Sequence, residues 1–590
     1  LVRLGFSLSF TLTLLFLLTM TKTIIYQLLP RTFANFCTNR KNNGTIQENG
    51  CGKFNLITTK ALREIKNLGA THVWYTGVIE HATQTDYSEF GITPDHPSVV
   101  KGKAGSPYAI KDYYDVDPDL AENVDNRMAE FEALIERTHK VGLKVIIDFV
   151  PNHVARQYHS DAKPAGIADL GEGDNPEWAF SPLNNFYYIP GEKFAPAFDV
   201  YDYTEDPAKV TGNDCFTAHP GHNDWYETIK LNYGVFYQGG GEKQFNPIPS
   251  TWLKMRDILR FWAAKGVDGF RCDMAEMVPV EFWEWVIPQI KDVEWGVTTT
   301  DAAGKKTYKK KAPIIFIAEV YNPALYREFI FKGHFDYLYD KVGMYDYLRA
   351  VTSKNYPVEG ITQQWQAVGD IQEHMLYFLE NHDEQRIASG FFCGRGMCAQ
   401  PAMIVAATLS TNPVMIYAGQ ELGEKGMDVE GFSGIDGRTT IFDYWGVKSI
   451  QAWANNGKWD GKGLDDEQQE LRLFYQQLLT LTRNSKAITE GKMYDLEYAQ
   501  AEGFNKHEHY AYLRHCEEET LLIAINFDDK HAEMQIRIPA EAFAYLHIQP
   551  CTEVQFTDLL SGQTFTRPFL PNTPITLSLE AWKGMILKID

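Results

Sequence analysis

The stretch GVDGFRCDM (266–274) sets three charges, Asp268, Arg271 and Asp273, among small and apolar residues that read as a short strand. Arg271 and Asp273 are two residues apart, so they share one face of that strand. A charge turned inward is costly unless it is paired. One reading is a structural ion pair; the sharper one is a catalytic carboxylate held by its own arginine. Spacing alone does not choose between them. Other apolar runs end in comparable groups. DFVPNHV carries Asp148, Asn152 and His153, PIIFIAE carries Glu319, and FLENHDEQR carries His382 and Asp383. Carboxylates and histidines are the side chains of nucleophilic and general acid–base catalysis. A single such end is weak; four in one chain describe a site.

The elements that must position these groups alternate in type. Eight apolar, β-branched or aromatic runs read as strands: TIIYQLL (23–29), THVWYTG (71–77), KVIIDFV (144–150), GVDGFRCD (266–273), PIIFIAE (313–319), FDYLYD (335–340), MLYFLEN (375–381) and PVMIYAG (413–419). Between them lie amphipathic segments such as ALREIKNLG, MAEFEALIERTHKVG and WLKMRDILRFWAAKG, each stopped by glycine. Nearly continuous apolar strands alternating with helices imply a parallel sheet covered by helices. Eight units predict an α/β fold, a (β/α)8 TIM barrel, whose sites gather at the C-terminal strand ends. The acids and histidines fall at those ends. The third crossover, 155–249, is too long for a plain loop and reads as an inserted domain. From 490 to 590 short strands with turns predict an antiparallel β-sandwich. The barrel is thereby expected in two parts, 23–154 and 250–489.

The motifs DFVPNH, GFRCD, AEV and FLENHD resemble, in order and at barrel-like spacing, the four signature regions of the α-amylase superfamily of retaining glycoside hydrolases (glycoside hydrolase family thirteen). The resemblance covers roughly residues 23–590. It implies Asp273 as nucleophile, Glu319 as general acid/base and Asp383 as a third carboxylate gripping sugar hydroxyls. It implies Arg271, His153 and His382 in the same subsite. Tyr108, in SPYAIKDYY, is implied as the ring stacked on the sugar, and Asp148 as a structural acid. Glycoside cleavage needs these types: one carboxylate attacks or stabilises C1 while a protonated carboxyl hands a proton to the leaving oxygen. Arg271 is expected to lower the pKa of Asp273, and Glu319, without a neighbouring cation on its apolar strand, to stay protonated near neutral pH. The expected substrate is an α-glucan or maltooligosaccharide with α-1,4 links. Transfer to a sugar instead of water, and a non-catalytic carbohydrate-binding relative, are the competing readings. A metal hydrolase built on His153 and His159 lacks the helical ligand spacing.

The pattern departs from starch-cleaving members after the nucleophile, where MAEM places Glu276 and Met277 instead of Lys-His. The family's structural calcium would use Asn152 with acids of the insert such as Asp199, Asp202 and Asp214; the sequence leaves it open. A net charge of −21 argues against nucleic acid and anionic membrane as partners. The 31 Tyr and 13 Trp suit both large cores and sugar stacking. Eight scattered cysteines contain no CxxC pair, so a zinc ribbon is not expected; Cys37 with Cys51, and Cys393 with Cys398, are near enough in sequence to pair in an exported protein. Residues 1–22 read in two ways. Arg3 followed by an apolar run fits a signal peptide, which implies export. Alternatively Met20 is the true start, which implies the cytoplasm. No other stretch is expected to span a membrane.

Overall fold

All eight predicted runs form strands, and they close on each other. In the computed structural model, which describes residues 22–293, 295–300, 306–310 and 313–590, they are β1 (Ile24–Leu28), β2 (His72–Tyr75), β3 (Lys144–Phe149), β4 (Gly269–Cys272), β5 (Ile315–Ala318), β6 (Tyr337–Tyr339), β7 (Met375–Phe378) and β8 (Val414–Tyr417). Every neighbour is parallel, and β1 pairs with both β2 and β8, so the sheet is a closed eight-stranded barrel. Helices cover it: α1 (Thr59–Leu68), α2 (Arg127–Val141) and α3 (Ser250–Lys265) end at Gly69, Gly142 and Gly266, all at positive φ. Residues 1–21, and with them both readings of the N-terminus, lie outside the described residues.

Alternation along the strands divides the barrel. Phe270 and Cys272 of β4 face the helices and join the main core. Ile146, Ile317, Tyr339, Leu376 and Met415 face inward and fill the barrel with Trp74 and Phe378. In register with Asp148 on β3 and Ile317 on β5, Arg271 belongs to this inner layer. A buried arginine there requires partners, which the active site supplies.

Between β3 and α3 the chain makes short antiparallel pairs rather than a helix alone. The first joins His153–Ala155 to Thr228–Lys230, so the long excursion is stitched directly to the end of β3. A second excursion, between β2 and α2, carries the pair Ile79–His81 with Ile110–Val116; its strands were not separable from loop by apolar runs because Lys111, Asp112 and Asp115 interrupt them. At the C-terminus a six-stranded antiparallel sheet packs with the pair Ala532–Ile536 and Ile575–Leu579 around a second core containing Leu513, Leu522, Met534, Phe556 and Leu577. This is the expected β-sandwich, with one addition: a short helix, Ala540–Leu546, buries Ala542, Phe543 and Leu546. All eight cysteines are free thiols, so neither suggested pair is a disulfide. Among the described residues no helix is long and apolar enough to cross a membrane.

Candidate active site

Arg271 is the hub of the site. It is fully buried, its Nη1 donates to Asp273 Oδ1 at 2.7 Å, and the same nitrogen lies 3.5 Å from Asp148 Oδ1. Nη2 lies 2.7 Å from Glu319 Oε2, although it is not aligned as a hydrogen bond to any partner. Nε donates to Tyr339 Oη at 3.3 Å. The rings of Trp74, Tyr108 and Tyr339 stand 5.3–5.4 Å from its guanidinium carbon. A planar, permanently charged fork offers two carboxylates donors in a fixed geometry that a lysine ammonium does not provide. The ion pair read from GFRCD therefore exists, and it is wider than the sequence implied.

This geometry corrects the expectation for Glu319. Its carboxyl does have a cation beside it, Arg271. Burial, the largest influence, still pushes its pKa up; Arg271 opposes that, and the Asp273 charge adds to it. Asp273 is likewise raised by burial, with Arg271 acting downward as expected but not prevailing. The neighbouring Glu319 carboxyl also acts downward on Asp273. The backbone helps. Asp273 N–H donates to Phe149 O and Glu319 N–H to Cys272 O, extending the ladder past the strand ends. Met274 then adopts φ 42°, a left-handed conformation unusual for a side chain of its size, and its N–H donates to Glu319 Oε2 at 2.7 Å.

Asp383 and His382 arrive from β7. His382 Nε2 is 3.1 Å from Asp383 Oδ2 and 2.5 Å from Tyr108 Oη, and the Tyr108 ring stacks on the imidazole at 5.1 Å between centroids. Gln27, on β1, donates through Nε2 to His382 Nδ1 at 2.7 Å, leaving the imidazole proton on Nε2, whose hydrogen-bond partner is Tyr108 Oη. Burial drives the His382 pKa well down, so the ring is neutral. Asp383 is pushed up by burial and then by Glu319, against Arg271, while about a third of its side chain still faces the cleft (36%). His153 Nε2 lies 4.0 Å from Asp273 Oδ2, and burial lowers its pKa to about 3. Asp148 accepts from Trp74 Nε1 at 2.9 Å and is raised by burial to about 7.

A cleft of about 320 Å³ brings together Tyr108, His153, Asp273, Glu319 and Asp383. It is lined as well by Trp225 and Glu227 of the inserted segment and by Lys101, Phe432 and Phe442, to which the sequence reading gave no role. Trp225, in the inserted segment 155–249, stands 5.2 Å from the His153 ring. Gln27 and Tyr339 were missed because a single polar residue inside an apolar strand has no pattern. Tyr321 was missed too. It donates its hydroxyl to Glu319 Oε1 at 2.7 Å. Glu276, noted for standing where Lys-His is usual, accepts from the backbone of Tyr321 and Asn322 at 3.1 and 2.9 Å. It fastens the loop that follows Glu319.

Tyr321 gives a directional prediction. Its hydrogen bond favours the ionised carboxylate of Glu319 and so lowers that pKa. Tyr321→Phe removes the bond, so the Glu319 proton is held to higher pH. The alkaline limb of kcat/KM is expected to move upward. A limb that stays in place or moves down contradicts this assignment.

Asn152 does not stand where a divalent ion would be free to bind. Lys230, 2% exposed, places Nζ 2.8 Å from Asn152 Oδ1 and 2.6 Å from Asp214 Oδ1. The other two acids lie elsewhere: Asp202 pairs with His96 on the surface, and Asp199 caps the Tyr201 N–H. Among the described residues no three His, Cys, Asp or Glu side chains converge as metal ligands. Calcium takes six to eight oxygens, and these residues do not fit it.

A closed parallel barrel with three carboxylates, a buried arginine and two histidines at its C-terminal face defines an enzyme of the barrel glycoside hydrolase class. The sequence profile described as Alpha amylase, catalytic domain, matches residues 27–441. The chain belongs to that family. Alpha-amylase 3 of Dictyoglomus thermophilum is 24% identical over 491 residues, 80% of this chain and 79% of the relative. Maltase A1 of Drosophila melanogaster is 26% identical over 249 residues, 42% of this chain and a smaller share, 33%, of the relative. The solved structure of a noncanonic maltogenic alpha-amylase, AmyB from Thermotoga neapolitana, shares the fold with a TM-score of 0.60 at 17% identity, over 96% of this chain and 98% of that one.

Proposed function

We propose that this α-amylase-family hydrolase cleaves α-glucosidic links, α-1,4 first among them, in starch-like glucans or maltooligosaccharides by double displacement. Asp273 attacks the anomeric carbon, Glu319 protonates the leaving oxygen and then activates water, and Asp383 grips the sugar in the first subsite. Tyr108 offers that sugar its ring, and His153, His382 and Arg271 hold the polar wall. The amylase and maltase names of the relatives fit a glucose-based substrate.

One observation carries the reading: Asp273 and Glu319 extend from neighbouring strands and share Arg271, which lies 2.7 Å from each. Adjacent strands lie about 4.8 Å apart. That suits the roughly 5–5.5 Å between carboxyls of a retaining enzyme, whereas inversion needs about 6.5–9.5 Å to hold a water. Burial keeps a proton on Glu319 to higher pH than usual, as a general acid requires.

The expected outcome is retention. Proton NMR of the first products from a maltooligosaccharide, read before mutarotation, should show α-configured reducing ends. Initial β-anomer would overturn the nucleophile assignment. A product profile on soluble starch, pullulan and maltooligosaccharides then separates hydrolysis from transfer to a second sugar.

A further inference from the structure

We infer that Lys230 is the resident structural cation of this active site, held where a calcium ion would otherwise sit, and that through Asn152 it decides which nitrogen of His153 donates into the cleft. The inference rests on the reading of the cleft as a glycosidase site only for its effect on turnover.

The geometry runs in a short chain. Lys230 is the register partner of His153 in the antiparallel pair that joins the insert to the end of β3. Its ammonium is buried between Asn152 Oδ1, at 2.8 Å, and Asp214 Oδ1, at 2.6 Å, with the Tyr237 ring 5.3 Å away. An ammonium has donors and no acceptor, so the carboxamide oxygen of Asn152 must face it. The amide nitrogen is thereby turned the other way. It donates to Gly212 O at 2.8 Å and faces His153 Nδ1 at 3.2 Å. An N–H directed at Nδ1 makes that nitrogen the acceptor. The single proton of the neutral ring then stands on Nε2, the nitrogen 4.0 Å from Asp273 Oδ2. An N–H is therefore carried on the Asp273 side of the ring at no cost in net charge, with the Tyr108 backbone as a further acceptor for it. Lys230 is a positioning residue: it does not line the cleft, and it acts through Asn152.

Three measurements test this. Wild-type enzyme dialysed against EGTA should keep its melting temperature and kcat, with less than stoichiometric calcium by elemental analysis. A drop in melting temperature that calcium chloride reverses overturns the proposal whatever the substrate proves to be, and absence of glucan activity would instead sink the functional reading. Lys230→Ala should lose at least about tenfold in kcat with a smaller change in KM, the range seen when groups behind a site are removed. Methylammonium chloride should restore part of the loss where tetramethylammonium does not; an undiminished kcat, or a loss that methylammonium leaves untouched, counts against the role. Should Lys230→Ala fail to fold, Asn152→Asp keeps an oxygen for the ammonium and removes the N–H aimed at Nδ1. It is expected to lose kcat while retaining its melting temperature. Full kcat in this variant would overturn the tautomer argument.

Discussion

Asp273→Asn is expected to lower kcat on maltooligosaccharides by at least about a thousandfold while the protein stays folded. The amide has the size of the acid, and its oxygen can still accept from Arg271 Nη1, the bond that is 2.7 Å long in the native site. Arg271 also retains Glu319 and Asp148 as partners. Removing one partner of a buried pair costs about 3–5 kcal/mol when a charge is left alone; here none is. What disappears is the nucleophile, and with it the covalent intermediate. Circular dichroism reports the fold and steady-state kinetics the chemistry. Native-like dichroism with unchanged kcat contradicts the assignment.

Glu319→Gln should lose about 10²- to 10⁴-fold in kcat, the usual worth of a positioned proton donor. The loss should depend on the substrate. A sugar leaving group needs its oxygen protonated, so maltooligosaccharides feel the full effect. An aryl α-glucoside with an acidic phenol departs as an anion and should suffer much less in the first step. Glutamine keeps the oxygen that Tyr321 addresses and most of the packing around a residue that is 3% exposed. Equal losses in kcat/KM, which reports the first step, on both substrate types would mean that Glu319 is not the acid.

The barrel was legible because its strands are bounded, apolar and separated by helices that stop at glycine. Each predicted run contains an observed strand, shortened by one to four residues where the chain turns. The convergence of Asp273, Glu319, His382 and Asp383 was legible for the same reason: strand ends meet on one face. Less was readable where contact depends on loops. Trp225, Phe432 and Phe442 come from distant segments, and no spacing announces that they share a wall. The pKa argument for Glu319 failed in its premise because it treated β5 alone. Arg271 stands on β4, and a neighbouring strand is invisible to a reading that follows one strand at a time. Asn152 illustrates the same limit. Its motif suggested a metal, while the cation that meets it, Lys230, comes 78 residues later in the chain.

Barrel closure has a consequence for how the chain must be made. Ile24 pairs with Val414, so the first strand finds its second neighbour only after the eighth has left the ribosome. At roughly 5–20 residues per second, that wait is about 20 to 80 s. During it the backbone edge of β1 is unpaired, a template for pairing with another chain. The loop-closure entropy for so long a connection must also be met before the pairing gives anything back. Nascent chains stopped before β8 keep two open edges around a core of inward-facing Trp74, Ile146 and Ile317. Yield in a cell is therefore expected to depend on the last barrel strand, some 140 residues downstream of Asp273.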